Sequence, residues 1–296
     1  MKQITRIIFE ILTFGKKQRY NLPMKIQLIG VDLDGTLLTS QKRITERTKQ
    51  ALSAAIAKGI TVVPVTGRPA AGLPSALLSI EGIRYAITAD GSVVQDLVSG
   101  SVLESRSLSC QNALYVLETV GGTAPAFEAF TGGFGYEEEH SLAYMTKINA
   151  ATGYMDYILK TRKTIPDMRA FLENTASVDF LSIRFADAAL AEKYCSVLSE
   201  NPELYVVVMD KYFLEVTDRS ANKGDALLFL ADYLSIPHAE VMAIGDSGND
   251  YSLLSKAGYS VAMGNASEAI KAIADAVTAS NEEDGVALIL EQLALV

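Results

Sequence analysis

Ile26-Gln27-Leu28-Ile29-Gly30-Val31-Asp32-Leu33-Asp34-Gly35-Thr36 carries the pattern on which the whole chain is built. A short apolar run ends at Asp32, and polar Asp34-Gly35-Thr36 follows, as where a strand gives way to a loop. The pattern recurs. Ile60-Thr61-Val62-Val63-Pro64-Val65 runs into Thr66-Gly67-Arg68, Tyr85–Ala89 forms a third strand, and Glu240–Ile244 ends in Gly245-Asp246. After the first strand, Thr45 can cap a helix whose apolar face holds Ala51, Leu52, Ala55 and Ile56, with Gly59 closing it. Strands separated by helices, each ending in a polar loop, indicate parallel βαβ units. Near-continuous apolar strands fit a sheet covered on both faces.

From Ser107 to Glu215 the pattern changes. Asn112–Thr119 and Ala188–Ser199 read as helices, Ser177–Phe185 and Leu204–Val208 as strands, with Gly121-Gly122 and Gly132-Gly133 between them. The parallel pattern then returns, with a helix over Ala226–Leu234, strands at Tyr259–Met263 and Ala276–Thr278, and a terminal helix over Val286–Leu295. The expected fold is therefore α/β: a Rossmann-like parallel-sheet core, residues 24–106 and 216–296, interrupted by an α+β insert at 107–215.

Composition narrows the function. At 296 residues, 49% apolar and 21% charged, the chain is globular and long enough for two domains. No apolar run reaches the ~18 residues of a membrane span. Twenty-six basic against 35 acidic residues leave −9, a field that repels nucleic acid and anionic lipid. An anionic substrate would need local cations or a metal to reverse that field. Cys110 and Cys195 lie far apart, without a Cys/His cluster, which excludes a disulfide scaffold or structural zinc and suits a cytoplasmic protein. The two histidines, His140 and His238, offer little for histidine-centred catalysis.

Residues 1–23 stand apart. Lys2, Arg6, Lys16, Lys17 and Arg19 against Glu10 give +4, and Ile4, Ile7, Ile8, Ile11 and Leu12 share a helical face, as in a basic amphipathic helix. Glu10 and the lack of a small-residue cleavage site argue against a secretory signal. The favoured reading is an extension from an upstream start codon, with the domain opening at Met24.

Four polar clusters fall at the carboxyl ends of strands, the edge where open α/β sheets bind ligands. In Asp32-x-Asp34, one carboxylate can attack an electrophile and hold a hard cation while the other moves a proton, although such a pair also serves turns. In Thr66-Gly67, a hydroxyl and a backbone N–H suit a phosphate oxygen, or simply make a turn. Lys223 supplies the positive charge an anionic site needs, yet a lone lysine is usually solvated. Gly245-Asp246-Ser247-Gly248-Asn249-Asp250 clusters acidic oxygens that suit Mg²⁺, or caps the next helix through Asp250.

In this order and spacing the clusters resemble the four motifs of the haloacid dehalogenase superfamily, in its Cof-type branch, where a large α/β cap sits between the second and third motifs. Residues 91–222 match that layout, and the resemblance runs from Met24 to Val296. Ala262-Met263-Gly264-Asn265-Ala266 and Asp284-Gly285-Val286-Ala287 fit as well, while Ile87-Thr88-Ala89-Asp90-Gly91 carries Asp90 where the branch has Asn. The resemblance implies that Asp32 is the nucleophile of an aspartyl-phosphate intermediate and Asp34 the proton donor and acceptor. It implies Mg²⁺ on Asp32, Asp246 and the Asp34 carbonyl, and phosphoryl contacts from Thr66, Gly67, Lys223 and Asn249. Asp250 would orient Lys223 or a metal-bound water.

The expected activity is hydrolysis of small phosphomonoesters, either sugar phosphates or phosphorylated cofactors such as pyridoxal phosphate and flavin mononucleotide. A phosphomutase of the same fold and a catalytically silent binder are the rivals. The stretch Phe127–Tyr144, with Tyr136-Glu137-Glu138-Glu139-His140, reads as a specificity loop or, as acidic runs usually are, a solvated face.

Overall fold

The computed structural model describes residues 25–149 and 155–293. The extension expected at 1–23, its Met24 boundary and the end of the last helix lie outside the described residues. Five parallel strands form the central sheet, in the order Ala276–Val277, Tyr259–Ala262, Val241–Gly245, Leu28–Val31, Thr61–Pro64. The Leu28–Val31 strand sits between two neighbours, pairing Val31 with Ile244 on one side and Pro64 on the other. Asp32 and Asp246 therefore leave adjacent strands at the same edge.

Alternation along that strand builds two cores. Ile29 and Val31 pack beneath the Glu46–Ala57 and Gly285–Leu293 helices. Leu28 packs on the opposite side with Leu227 and Leu230 of the Lys223–Tyr233 helix. The Glu46–Ala57 helix starts where Thr45 accepts the Thr48 N–H, and it stops before Gly59, whose φ of +85° suits glycine.

The Tyr85–Thr88 strand differs from its expected place in the parallel sheet. It touches that sheet through one parallel bridge, Val65 to Ile87, and belongs to an antiparallel three-stranded sheet with Val93–Asp96 and Ser101–Ser105. A second sheet holds six strands, in the order Leu204–Asp210, Phe213–Asp218, Phe180–Arg184, Ala126–Thr131, Phe134–Glu138, Arg162–Ile165. The division read at residue 215 falls inside the Phe213–Asp218 strand. The single strand read over Ser177–Phe185 is broken at Asp179, because Ser177–Val178 pairs instead with Leu108–Ser109.

One face of the second sheet presents Leu181, Ile183, Leu214 and Val216 to the helices at Cys110–Val120, Met168–Glu173 and Ala188–Ser199. The alternate residues Glu128, Ser182 and Glu215 occupy one row across the other face. The stretch read as a loop or a solvated face is instead two strands and the Glu139–Asn149 helix. Glu137 in it is fully buried, while Glu139 and His140 are exposed. No helix among the described residues is long and apolar enough to cross a membrane.

Candidate active site

Lys223, at the start of its helix, is almost wholly buried, which sets aside the alternative reading of a solvated surface lysine. Asn222 caps this helix by accepting the Asp225 N–H, which fixes where Lys223 departs. Its Nζ donates to Asp32 Oδ1 at 2.8 Å and to Asp250 Oδ1 at 2.7 Å, and lies 3.8 Å from Asp90 Oδ1. Burial alone would lower the lysine pKa. Asp250 and Asp32 outweigh it and hold the group well above its usual value. Asp32 is pushed well up by burial and then by the charge of Asp250, with Lys223 offsetting part of the rise.

Asp250 orients Lys223 but does not cap the Tyr251–Lys256 helix with its side chain, which turns back to the preceding loop instead. Oδ1 receives Lys223 while Oδ2 accepts the N–H groups of Asp246 and Ser247 at 3.0 and 3.1 Å, capping the turn that carries Asn249. Asp246 is drawn in by the Thr36 hydroxyl at 2.9 Å, and burial with the Asp250 charge raises it to about 6. Gly35, at φ +89°, passes so close to the Asp246 carboxylate that any side chain there would collide with it.

Carboxylate oxygens of Asp32, Asp246 and Asp250 lie within 4.8 Å of one another. Asp250 is fully buried with Lys223 and two backbone N–H groups on its oxygens, whereas Asp32 accepts from Lys223 alone and half-buried Asp246 from Thr36 and, at 3.3 Å, Asn265, so Asp32 and Asp246 have the greater capacity for a cation. Oxygen-only donors with a local excess of negative charge fit a hard divalent ion.

Asp34 stands apart from this cluster. Arg68 grips it with two hydrogen bonds, Nε to Oδ2 at 2.6 Å and Nη2 to Oδ1 at 2.7 Å, and Lys42 adds a third at 2.7 Å. Burial opposes ionisation, but Arg68 and then Lys42 prevail and bring Asp34 to about 2. Thr66 is buried at the neighbouring strand end, its Oγ1 accepting the Arg68 N–H at 3.2 Å. The Thr66 N–H goes to Ile87, so its hydroxyl is the group left to donate. The Gly67 N–H has no acceptor among the described residues. Asn249 donates to Asp90 Oδ1 at 2.9 Å.

All the expected residues thus meet at one sheet edge, and the structure adds Arg68, Thr36, Asp90 and Lys42. The signal for Arg68 was its place directly after Thr66-Gly67, and for Thr36 its place four residues beyond Asp32. Above this edge lies a cavity of about 480 Å³, roofed by Glu128, Phe130, Arg162, Phe180 and Glu215 of the second sheet. Glu128 accepts from Arg162 at 2.7 Å and from Ser182 at 2.7 Å, so the roof carries paired charge.

A family model for haloacid dehalogenase-like hydrolases matches residues 29–290. The chain belongs to that family. Phosphatase YwpJ of Bacillus subtilis (strain 168) is 32% identical, over 90% of this chain and 100% of that protein. The 5-amino-6-(5-phospho-D-ribitylamino)uracil phosphatase YcsE of the same organism is 29% identical, over 88% of this chain and 93% of its own length. Among solved structures, a haloacid dehalogenase-like hydrolase from B. subtilis superposes with a TM-score of 0.80 at 31% identity, covering 90% of this chain and 100% of that one. Another from Bacteroides thetaiotaomicron gives 0.78 at 29%, covering 91% and 100%. The α/β fold with a parallel-sheet core and the membership expected from the motifs both stand.

Proposed function

We propose that this family member is a Mg²⁺-dependent phosphatase of small phosphomonoesters, working through an aspartyl-phosphate on Asp32. The observation that supports the reading is the buried Asp32–Lys223–Asp250 chain beside Asp246, a carboxylate, a cation and further carboxylate oxygens within reach of one another. Asp32 and Asp246, with the Asp34 carbonyl, would hold Mg²⁺, which when bound neutralises charge on the phosphoryl group and aligns it. The relatives' phosphatase activities support this reaction class.

On this reading Asp32 attacks phosphorus and the ester P–O bond breaks. Lys223 balances charge on the transferring group, while the Thr66 hydroxyl, the Gly67 N–H and Asn249 hold its oxygens. Asp34 gives its proton to the leaving alkoxide and then takes one from the water that hydrolyses the aspartyl-phosphate. Arg68 keeps Asp34 ionised in the present arrangement, so the acid step requires Asp34 to leave the guanidinium and take up a proton from water before it meets the substrate's leaving oxygen. Residues 107–218 act as the cap that excludes water and reads the leaving group, in a cytoplasmic protein.

The test is phosphate release from a panel of phosphorylated sugars and cofactors, with and without Mg²⁺. Asp32→Asn is expected to lose at least about a thousandfold in kcat. Activity retained within tenfold would refute covalent catalysis by Asp32, and silence of the wild type across the panel would refute the phosphatase.

A further inference from the structure

Glu215, in the Phe213–Asp218 strand of the second sheet, is buried opposite the wall that holds Gly67 and Asn249, and it lines the same cavity as both. Each of those two touches Asp90. Asn249 donates to Asp90 Oδ1, and a Cβ built on Gly67 would stand 3.0 Å from Asp90 Oδ2. Two residues further along the strand, Thr217 shares a second small cavity with Asp90 and Lys223. The strand therefore lies over Asp90, which brings the Glu215 and Asp90 carboxyls near enough for their charges to act on each other.

Two neighbouring carboxylates can hydrogen-bond only if one of them carries a proton. Glu215 Oε2 is fully buried and has no N–H or O–H partner among the described residues. The other charges facing Glu215 are Lys223, which favours its ionisation, and Glu128, which opposes it and is already tied to Arg162 and Ser182. Asp90 in turn faces Lys223 at 3.8 Å and the Asn249 amide. Burying two adjacent carboxylates both ionised is costly, and one proton between them converts repulsion into a short charge-assisted bond.

Resting on the phosphatase reading above, we propose that Glu215 is a positioning residue: it shares one proton with Asp90, and this bond seats the second sheet on the phosphate-holding wall. Asp90 sits at φ +52°, a left-handed conformation in which Asn and Asp are the side chains best accommodated. At that position Asn would offer a permanent N–H, whereas Asp makes the contact depend on a proton.

Burial, then Asp90, pushes Glu215 well up, so the seated form is favoured at low pH and weakens as pH rises and Glu215 gives up its proton. The expected signature is a KM that climbs on the alkaline side while kcat moves less. In Glu215→Gln and Asp90→Asn an amide N–H replaces the shared proton, and the alkaline climb in KM should flatten. Glu215→Ala should raise KM about tenfold on the acid side, where wild type keeps the bond, and leave KM flat with pH, with Gln restoring the low value. Variants that shift kcat and KM by one common factor, with the wild-type pH profile, would overturn the proposal.

An infrared comparison at neutral pH separates the two readings. The pair predicts a protonated-carboxyl stretch in wild type that disappears in both Glu215→Gln and Asp90→Asn. That band without any phosphate release would sink the phosphatase and keep the pair. Phosphate release with no protonated-carboxyl band lost in either substitution would sink the pair and keep the phosphatase.

Discussion

Lys223 and Asp179 show how single buried charges set the behaviour of this protein. Lys223 neutralises Asp32 and Asp250 at once, and each would otherwise be buried beside the other. Lys223→Met should cost about 3–5 kcal/mol in chemical denaturation, the scale for breaking a buried ion pair. A loss below about 1 kcal/mol would show that the carboxyls simply take up protons. Asp179 interrupts the strand run of the second sheet and accepts from Ser107 at 3.1 Å. Burial raises it from 3.8 to about 6 despite that bond and one from the Gly133 N–H. The folded state thus retains a proton that the unfolded chain gives up. Its stabilising effect is complete below pH 3.8 and fades as pH rises through about 6. Asp179→Asn should be more stable than wild type at pH 8 by roughly 2–3 kcal/mol and show no gain near pH 3.5, measured by urea denaturation at both values. Such residues were the hardest to read from the sequence. Asp32, Thr66 and Asp246 announce themselves by standing at strand ends, a local signal. Burial of Glu137 depends on distant partners, so a rule about the average exposure of acidic runs pointed the wrong way there.

The elements divide along the same line. The Ala188–Ser199 helix was read to its end residues, since its apolar period and its Asp187 cap are both local. The hairpin of Val93–Asp96 and Ser101–Ser105 was missed, because its strands mix exposed and buried positions without clean alternation. At the N-terminus of the Glu46–Ala57 helix, the Thr45 hydroxyl accepts the Thr48 N–H at 3.1 Å and donates to Asp284 Oδ1 at 2.6 Å. One side chain thereby caps a helix and ties it to the segment that opens the Gly285–Leu293 helix. Thr45→Ala should cost about 1–2 kcal/mol, with Thr45→Ser recovering most of it, read as the shift in denaturation midpoint. Equal losses in both variants would place the effect in packing of the methyl group instead.

At the scale of the whole molecule, the apolar cluster of the second sheet runs from Leu108 to Val216 without drawing on the central sheet's residues. Residues 107–218 made alone should therefore melt cooperatively, as followed by circular dichroism. A non-cooperative melt would mean that the contact with the strand ends of the central sheet is needed to hold that unit together. A parallel sheet of this strand order also has a history in time. Lys223 meets Asp32 across 191 positions, and the Leu28–Val31 strand finds its partner Val241–Gly245 only after the whole insert has been synthesised. At ribosomal speeds of about 5–20 residues per second, the nascent chain carries its unfinished central strand for roughly 10–40 s. During that interval an apolar edge and an unneutralised carboxylate are both exposed. Chaperone capture during translation should concentrate on chains that have passed Thr61–Pro64 but have not yet emerged to Gly245.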